Sequence, residues 1–200
     1  MAPSWMEKFI VRGDPPLPDP IRTSSHPHLS LDYSALAEHH RVLTAPGSPT
    51  PRYEVSRKAM MGGIWGGKCT VTTPSNSQEI ALIDFHTFHY TIDFPLRNHR
   101  IEISTAKRVF NGSGGLGELR WKATGMEAAG AASWELRDEA GLVVVAEIDG
   151  TQMNGRISVW REGLEEQSVE ELVVVGIAQI EEYKRMVRQA RTAAVGVKLN

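Results

Sequence analysis

The sequence predicts a mainly β protein, in which an antiparallel β-barrel or closed sheet is wrapped around a hydrophobic C-terminal helix. Three observations lead to this prediction. Short runs rich in β-branched and aromatic residues alternate with turn residues over positions 53–160. One long apolar run, Leu172 to Ile180, follows a helix-capping sequence. Proline is concentrated before this region, where it disfavours pairing within a sheet.

The composition is that of one ordinary globular domain: of 200 residues, 41% are hydrophobic and 23% charged. The formal net charge is -2, whereas proteins that grip phosphate backbones are usually basic, so we expect no nucleic-acid partner. The single cysteine, Cys69, excludes an internal disulfide and a multi-cysteine zinc site. No signal peptide or membrane span is predicted. We therefore expect a cytoplasmic protein without a metal or cofactor, and its oligomeric state stays open.

Residues 1–51 are predicted to form a proline-rich arm outside the sheet. Proline lacks an amide hydrogen and is excluded from the middle of a sheet ladder. Asp32 is a suitable N-cap for one short helix in this arm, running to Leu43. The prolines that define the arm are Pro15, Pro16, Pro18, Pro20, Pro27, Pro46, Pro49 and Pro51.

The body of the protein is predicted to span residues 52–192 and to start with a series of short strands. Asp138 to Gly141 forms a hairpin turn between two of them, because Gly141 readily adopts a positive φ. The predicted strands are Tyr53–Arg57, Lys68–Thr73, Glu79–Phe85, Phe88–Phe94, Arg100–Ser104, Lys107–Phe110, Glu118–Ala123, Ser133–Arg137, Leu142–Ile148 and Arg156–Trp160.

A helix is predicted over residues 168–192, with a tail at 193–200. Ser168 and Glu171 form a capping box at its start. From Leu172 to Ile180 the helix would be apolar on nearly all sides, which is typical of a buried helix. Beyond it, basic residues are expected to turn outward: Lys184, Arg185, Arg188 and Arg191.

Four segments resemble a known family: Gly117–Trp121, Ser133–Leu136, Arg156–Trp160 and Glu170–Gly176. Together with the basic tail, they are similar to the fungal tubby C-terminal-like domains of unknown function, which are related to LURP-one and tubby proteins. The resemblance implies a β-barrel with a hydrophobic helix through its middle. It also implies a link to lipids, since tubby binds phosphoinositide headgroups and scramblase-like relatives act at membranes. Tubby's basic phosphoinositide motif is not identifiable in this sequence.

Two glycine-rich segments imitate nucleotide-binding motifs. Gly62 to Cys69 nearly matches a P-loop, but Cys69 replaces the hydroxyl that holds magnesium and a strand-like run follows. Gly112 to Gly117 fits the spacing of a dinucleotide-binding loop, but the helix that must follow is interrupted by Gly125. Glycine-rich turns between strands are the preferred interpretation of both.

The stretch from Asp84 to Asp93 is the richest in chemical groups. If it is one regular strand, Asp84, His86, Phe88 and Tyr90 share one face and His89 lies on the other. The two histidines would then point apart. An acid beside an imidazole fixes its tautomer and favours the protonated form, as in a general base or acid. His86, His89 and Asp84 are therefore the candidate catalytic residues.

A second group of side chains suits an anionic or apolar ligand. Five basic residues are predicted to gather in one hairpin-like region: Arg97, His99, Arg100, Lys107 and Arg108. The candidate ligand-binding residues are Trp65, Lys68, Phe88, Tyr90, Arg97 and Arg100.

Three functions remain open at this point. The first is a non-catalytic binding domain for a small hydrophobic or anionic molecule, with a peripheral membrane lipid as one such ligand. The second is a cofactor-free enzyme of fungal secondary metabolism (a cyclase, isomerase or hydrolase). It would use a histidine acid or base in an apolar pocket that the N-terminal arm closes. The third is an interaction module in which the arm is a peptide ligand.

Overall fold

The computed structural model describes residues 17–37, 39–59, 65–126 and 130–196; at positions 58, 59, 65, 66, 126 and 191–196 it describes the backbone only. Within these ranges the chain forms two α-helices, α1 (Ile21–Ser24) and α2 (Glu166–Gly196), and a 3-10 turn at Pro95–Arg97. The strands of the same ranges are β1 (Leu29–Ala37), β2 (His40–Thr44), β3 (Pro51–Ala59), β4 (Trp65–Thr73), β5 (Gln78–Phe85), β6 (His89–Phe94), β7 (His99–Ser104), β8 (Val109–Gly112), β9 (Gly117–Met126), β10 (Ala132–Asp138), β11 (Gly141–Ile148) and β12 (Asn154–Val159).

The strands form one antiparallel sheet that curls into a nearly closed barrel. Its order is β7-β6-β5-β4-β3-β2-β1-β12-β11-β10-β9-β8, so the edge strands are β7 and β8. These two strands follow one another in the chain and lie side by side, which brings the edges of the sheet together. The predicted fold class, a mainly β closed sheet around a C-terminal helix, is confirmed.

The core of the barrel is α2, which is buried on all sides over residues 171–184. Gly176 permits its close approach to β12, because a Cβ added there would lie 2.8 Å from Cγ2 of Ile157. The helix begins two residues before the predicted Ser168. The predicted capping box between Ser168 and Glu171 is wrong. The Glu171 carboxylate instead accepts a hydrogen bond from the Ser113 amide at 2.9 Å. No helix in the described ranges is both long and apolar enough to cross a membrane.

The prediction that residues 1–51 lie outside the sheet is wrong for residues 29–37 and 40–44. Strands β1 and β2 form a hairpin that pairs with β12 on one side and with β3 on the other. Asp32 caps no helix; it lies within β1 and accepts a hydrogen bond from Arg156 Nε at 2.8 Å. The prolines of this region flank the hairpin and do not interrupt it. The signal for β1 is the alternation that places Leu31 and Tyr33 in the core. Residues 1–16 and 197–200 lie outside the described residues.

The outward direction predicted for the basic residues of α2 is wrong at Lys184, whose side chain is only 3% exposed. Its ammonium group donates to Tyr33 Oη at 2.9 Å and to Glu181 Oε1 at 3.3 Å inside the barrel. Arg188 is exposed, as predicted, and the side chain of Arg191 lies outside the described set. Position 184 is buried because β1 supplies a polar partner for its charge.

The turns between strands alternate between two ends of the barrel. We call the upper end the one that holds turns 86–88 and 105–108, where Arg185 of α2 donates to the His86 carbonyl at 2.6 Å. We call the lower end the one that holds turns 95–98 and 113–116. There Arg97 donates to the Gln167 carbonyl at 3.0 Å, near the start of α2.

Candidate functional site

The predicted site residues are divided between the two ends of the barrel. Strand β6 separates them, because five residue rises from His89 to Phe94 span about 17 Å. For Trp65, only the backbone is described, at the start of β4. Asp84, His86, Phe88, His89 and Tyr90 lie towards the upper end with Lys68, and Arg97 and Arg100 lie at the lower end.

The histidines do not point apart as predicted, because their rings stack with centroids 4.6 Å apart. The prediction is wrong because β5 ends at Phe85 and β6 begins at His89, so residues 86–88 form a turn. His86 is 45% exposed, and its Nε2 lies 3.9 Å from Oδ2 of Asp84. The imidazoles are thus on the surface of the upper end.

The shared face predicted for Asp84 and Tyr90 is also wrong. Phe85 pairs with Tyr90 across the hairpin, and both side chains are buried, whereas Asp84 faces outward. Asp84 Oδ2 forms an ion pair with Lys68 Nζ at 3.0 Å, and the lysine is more than half exposed. An exposed pair of this kind contributes only about 0–1 kcal/mol. The three catalytic candidates therefore form a solvated cluster on the outer surface.

The basic residues do not gather in one region as predicted. Arg97 binds Glu170 at the start of α2, and Arg100 Nη2 donates to Asp93 Oδ2 at 3.0 Å. Both arginines thus pair with acids of this chain at the lower end. Lys107 and Arg108 lie in the upper turn between β7 and β8.

The upper end contains a small pocket beneath the seam between β7 and β8. Its volume is about 250 Å³ including its open mouth, and its enclosed part holds little more than a water molecule. Three of its residues come from α2 and two from the β7–β8 turn. The pocket is lined by Tyr90, Thr105, Arg108, Gln179, Glu182 and Met186.

Two buried hydrogen-bond donors at this place have no partner among the described residues. They are the Tyr90 hydroxyl, which lines the pocket, and the indole N–H of Trp121 beside it. Burial chiefly, and then the charge of Glu182, raises the pKa of Tyr90, so its hydroxyl stays protonated. An unsatisfied buried polar group costs about 1–3 kcal/mol, so a hydrogen-bonding partner that enters this place would offset that cost.

The charged residues of the pocket are partly desolvated. Burial lowers the pKa of Arg108. Burial also raises the pKa of Glu182, although Arg185 opposes this by donating from Nε at 2.8 Å. Arg108 adopts a left-handed φ of 56°, and its carbonyl accepts from the Trp121 amide at 3.0 Å. A residue other than glycine in this conformation is strained, and such strain is commonly found at functional sites.

The candidate residues chosen from the sequence include Tyr90 but omit Trp121, Thr105 and the helix side of the pocket. A signal for the helix side was present. Gln179, Glu182 and Met186 are spaced by three and four residues, which places them on one face of α2. Gln179 also interrupts an otherwise apolar run.

A separate cluster of buried charges lies deeper in the barrel. Glu181 accepts hydrogen bonds from the Tyr33 hydroxyl, from Arg57 Nε at 3.0 Å and from Lys184 Nζ at 3.3 Å. Burial alone would raise the pKa of Glu181, but Lys184 and Arg57 outweigh it and hold the pKa at about 2. Burial lowers the pKa of Lys184 to about 8, although Glu181 opposes this.

Cys69 lies within the core, and its side chain is fully buried. Burial is the main cause that raises the pKa of its thiol to about 12. The thiol therefore stays protonated at neutral pH, and a protonated thiol is a poor nucleophile. This confirms the interpretation of Cys69 as a small buried residue.

No family model matches this chain, and neither the curated proteins nor the solved structures include a match. Among the residues that the structure describes, no group of three or more His, Cys, Asp and Glu side chains is arranged to hold a metal ion.

Proposed function

We propose that this chain is a non-catalytic binding module for a small anionic group, a carboxylate or phosphate, and that the upper pocket is its site. The observation that carries the proposal is the buried Tyr90 hydroxyl, which lines the pocket with Arg108 and has no acceptor among the described residues. A buried hydroxyl without an acceptor favours a ligand atom that accepts its hydrogen bond.

A chain of donors explains how these groups act together. The Trp121 N–H lies beside the Tyr90 hydroxyl, and that hydroxyl lines the pocket. When Tyr90 donates to a ligand oxygen, its own oxygen becomes a better acceptor for the Trp121 N–H. A hydrogen bond to a charged acceptor is roughly twice as strong as one between neutral groups.

The charges at the pocket favour an anion. Arg108 and Glu182 are the charged residues of the lining, and Glu182 is already paired with Arg185, which donates to it from Nε at 2.8 Å. Lys107 lies in the same turn as Arg108 and adds a third cation.

The size of the pocket limits the ligand. Pockets for drug-sized molecules enclose roughly 300–1,000 Å³, whereas the 250 Å³ of this pocket include its open mouth and its enclosed part holds about one water molecule. One oxygen of a carboxylate or phosphate fits in the enclosed part, while the rest of the ligand lies at the mouth. The proposal therefore excludes a large apolar substrate bound inside the barrel, which α2 fills.

The anion has two chemical sources, a free small molecule or the headgroup of a lipid. The exposed Phe88 supports the lipid source, because it lies at the same end and is 77% exposed. The Phe88 carbonyl accepts from the amide and hydroxyl of Thr105, both at 2.9 Å, so this aromatic residue is tied to the pocket wall. The tubby-like resemblance favours the same source.

The enzyme hypothesis, a cyclase, isomerase or hydrolase, has less support. Neither His86 nor His89 lines the upper pocket, and both are at least partly exposed. Their acid partner Asp84 is already paired with Lys68. Turnover of a bound compound that is lost in His86→Ala but kept in Tyr90→Phe would favour this alternative.

The proposal is tested by measuring binding of two probes to the full chain. One probe is inorganic phosphate, followed by calorimetry, and the other is a phosphatidylcholine vesicle with phosphatidylserine, followed by co-sedimentation. A free anion as ligand predicts a phosphate response and no vesicle binding. A headgroup predicts vesicle binding that fails with phosphatidylcholine alone.

The variant Tyr90→Phe removes the donor but keeps the ring, and it should weaken binding about tenfold, as expected for one charge-assisted hydrogen bond. Tyr53→Phe is a matched control, because Tyr53 is also buried but does not line the pocket. Binding of neither probe, or equal loss in both variants, would refute the proposal.

A further inference from the structure

A second polar site lies on the outer face of the barrel and is occupied by a segment of the same chain. We call residues 19–22 the strap; they contain Asp19, Pro20 and the first two residues of α1. The site that the strap covers, which we call the cradle, is formed by Thr124, Ser133, Glu135, Arg137 and Glu147.

The register of three strands builds the cradle. Residues that pair directly across antiparallel strands share one face of the sheet. Ser133 of β10 pairs with Glu147 of β11, and Glu135 lies two positions further along β10. Trp134, between them, points into the core. The cradle residues therefore lie on the outer face of the barrel.

The cradle surrounds the guanidinium of Arg22. Nη1 of this arginine lies 3.2 Å from Glu135 Oε1, 3.3 Å from Ser133 Oγ and 3.4 Å from Thr124 Oγ1. Nη2 donates to Glu147 Oε1. A planar group with several fixed donors fits this arrangement, and an ammonium group does not reproduce it.

The other half of the cradle recognises the acid that precedes Arg22 by three residues. The Asp19 carboxylate forms an ion pair with Arg137 at 2.7 Å, and the Asp19 amide donates to Glu135 at 2.8 Å. Asp19 also accepts from the Ile21 amide at 3.0 Å, which closes a turn that presents the acid and Arg22 together.

Glu135 shows how closely the cradle fits this turn. Although it lies on the outer face, Glu135 is completely buried. A buried carboxylate is strongly destabilising unless it is paired, and here Arg22, Arg137 and an amide all pair with it. The cradle is therefore formed in detail for an acid and an arginine three positions apart.

The strap is held by polar contacts and has little apolar anchoring. Ile21 is 40% exposed, and Leu17 just before the strap is 86% exposed. Only six residues, 23–28, connect Arg22 to β1, and a chain of that length reaches about 20 Å. The strap thus reaches the cradle within one molecule, and because few apolar contacts hold it, we expect it to open locally without unfolding of the barrel.

We propose that the cradle is a docking site for an arginine-bearing turn of a partner protein, with an acidic residue three positions before the arginine. The strap is the resident competitor of that partner. The charges are complementary in order: Arg137 binds the acid, and Glu135 with Glu147 binds the arginine. A partner must displace the strap. The apparent affinity of the partner therefore falls as the intramolecular binding of the strap to the cradle becomes stronger.

The test uses a fluorescein-labelled peptide with the sequence of residues 15–28 and measures its anisotropy with the full chain. In the Arg22→Ala chain the strap loses its main contact, so the peptide should bind about tenfold more tightly than to the unchanged chain. Lysine in place of arginine in the peptide should weaken binding about tenfold, because lysine lacks the planar fork. Arg120→Ala is a matched control, since Arg120 is an exposed arginine of β9 outside the cradle.

Failure of the peptide to bind either chain, or equal binding to both, would overturn the proposal. A second variant guards against misfolding of Arg22→Ala: Glu147→Gln alters a carboxylate that is 40% exposed and should speed amide hydrogen exchange at residues 21–25. Unchanged exchange would contradict the role of the cradle. If the Arg22→Ala chain or the unchanged chain forms dimers in which each strap lies in the cradle of the other molecule, then the occupant is a second copy of this chain, and the proposal of a separate partner protein is wrong. None of the cradle residues lines the upper pocket, so this proposal and the anion site can fail separately.

Discussion

The two halves of α2 are buried in the same barrel by different means. From Leu172 to Ile180 the helix is almost entirely apolar, and its side chains pack against the strands. From Glu181 to Lys184 it is mostly charged, yet these residues are equally buried. The charged residues can be buried because the strands supply polar partners: Tyr33 of β1 and Arg57 of β3 donate hydrogen bonds to Glu181. Burial in this barrel thus depends on whether a partner faces the residue.

The largest loss of stability is expected when Glu181 can no longer pair with Arg57 and Lys184. Glu181→Gln leaves Arg57 and Lys184 buried without a counter-charge, so we expect a loss of about 3–5 kcal/mol in the free energy of unfolding. Urea denaturation of the variant and of the unchanged chain measures this difference in the free energy of unfolding. Glu166→Gln, at a side chain that is 90% exposed, is the control and should change stability by less than about 0.5 kcal/mol. Equal effects of the two variants would show that the cluster adds nothing.

The charged half should also make stability depend on acid pH. The pKa of Glu181 in the folded protein, held at about 2 by Lys184 and Arg57 against the effect of burial, is below the ordinary value of a glutamate. Its contribution is therefore complete above the ordinary pKa near 4.5 and is lost as the pH falls towards 2. Denaturation between pH 6 and about pH 2.5 should show a smaller decline in Glu181→Gln than in the unchanged chain. An identical decline would contradict the assignment.

A smaller effect is expected in the apolar half. Gly176→Ala places a Cβ 2.8 Å from Ile157 Cγ2, and overpacking of this kind costs about 1–3 kcal/mol. Alanine gains about 1 kcal/mol over glycine in a helix, so a net loss of about 0–2 kcal/mol in the free energy of unfolding is expected. Gly125→Ala in β9 is the control, because its nearest contact would be an ordinary 3.8 Å. The measurement is the thermal unfolding midpoint of both variants. A higher midpoint for Gly176→Ala than for the unchanged chain would contradict the expected overpacking and show that the helix has room to shift.

The smallest effect on stability should come from Tyr90, whose hydroxyl has no partner. Tyr90→Phe removes an unsatisfied buried group, so stability should stay the same or rise by up to about 1 kcal/mol. Tyr33→Phe removes a hydroxyl that bonds to Glu181 and Lys184, and it should destabilise by about 1–3 kcal/mol. If Tyr90→Phe destabilises as much as Tyr33→Phe, then the Tyr90 hydroxyl has a structural role.

The sequence was sufficient for the fold class and for the apolar half of the helix, because both follow from local patterns. It was not sufficient for Lys184, since the reason for its burial lies on β1, far away in the chain. The hairpin of β1 and β2 was not predicted, because the surrounding prolines indicated a segment outside the sheet. Leu31 and Tyr33 nevertheless show the alternation of a strand. The turn at residues 86–88 was missed because an unbroken alternation was assumed there.

The candidate site was predicted only in part. Of the predicted ligand-binding residues, Tyr90 lines the upper pocket, whereas Arg97 and Arg100 lie at the other end, where acids of the chain bind them. No local pattern reveals which basic residues will find such acids. Trp121 reaches Tyr90 only because β9 closes the barrel beside β8, which depends on the whole sheet.

The anion site is tested most directly by the indole N–H of Trp121, followed in proton–nitrogen NMR spectra of the full chain during a phosphate titration. Trp121→Phe identifies the resonance. Trp134 is an internal control, because its indole N–H is equally buried and unpaired but lies against Tyr183. We predict a saturable shift at Trp121, none at Trp134, and no shift at Trp121 in the Tyr90→Phe chain. A Trp121 resonance that moves with neither phosphate nor phosphatidylserine-containing vesicles, or that moves equally in the Tyr90→Phe chain, would contradict the proposed function.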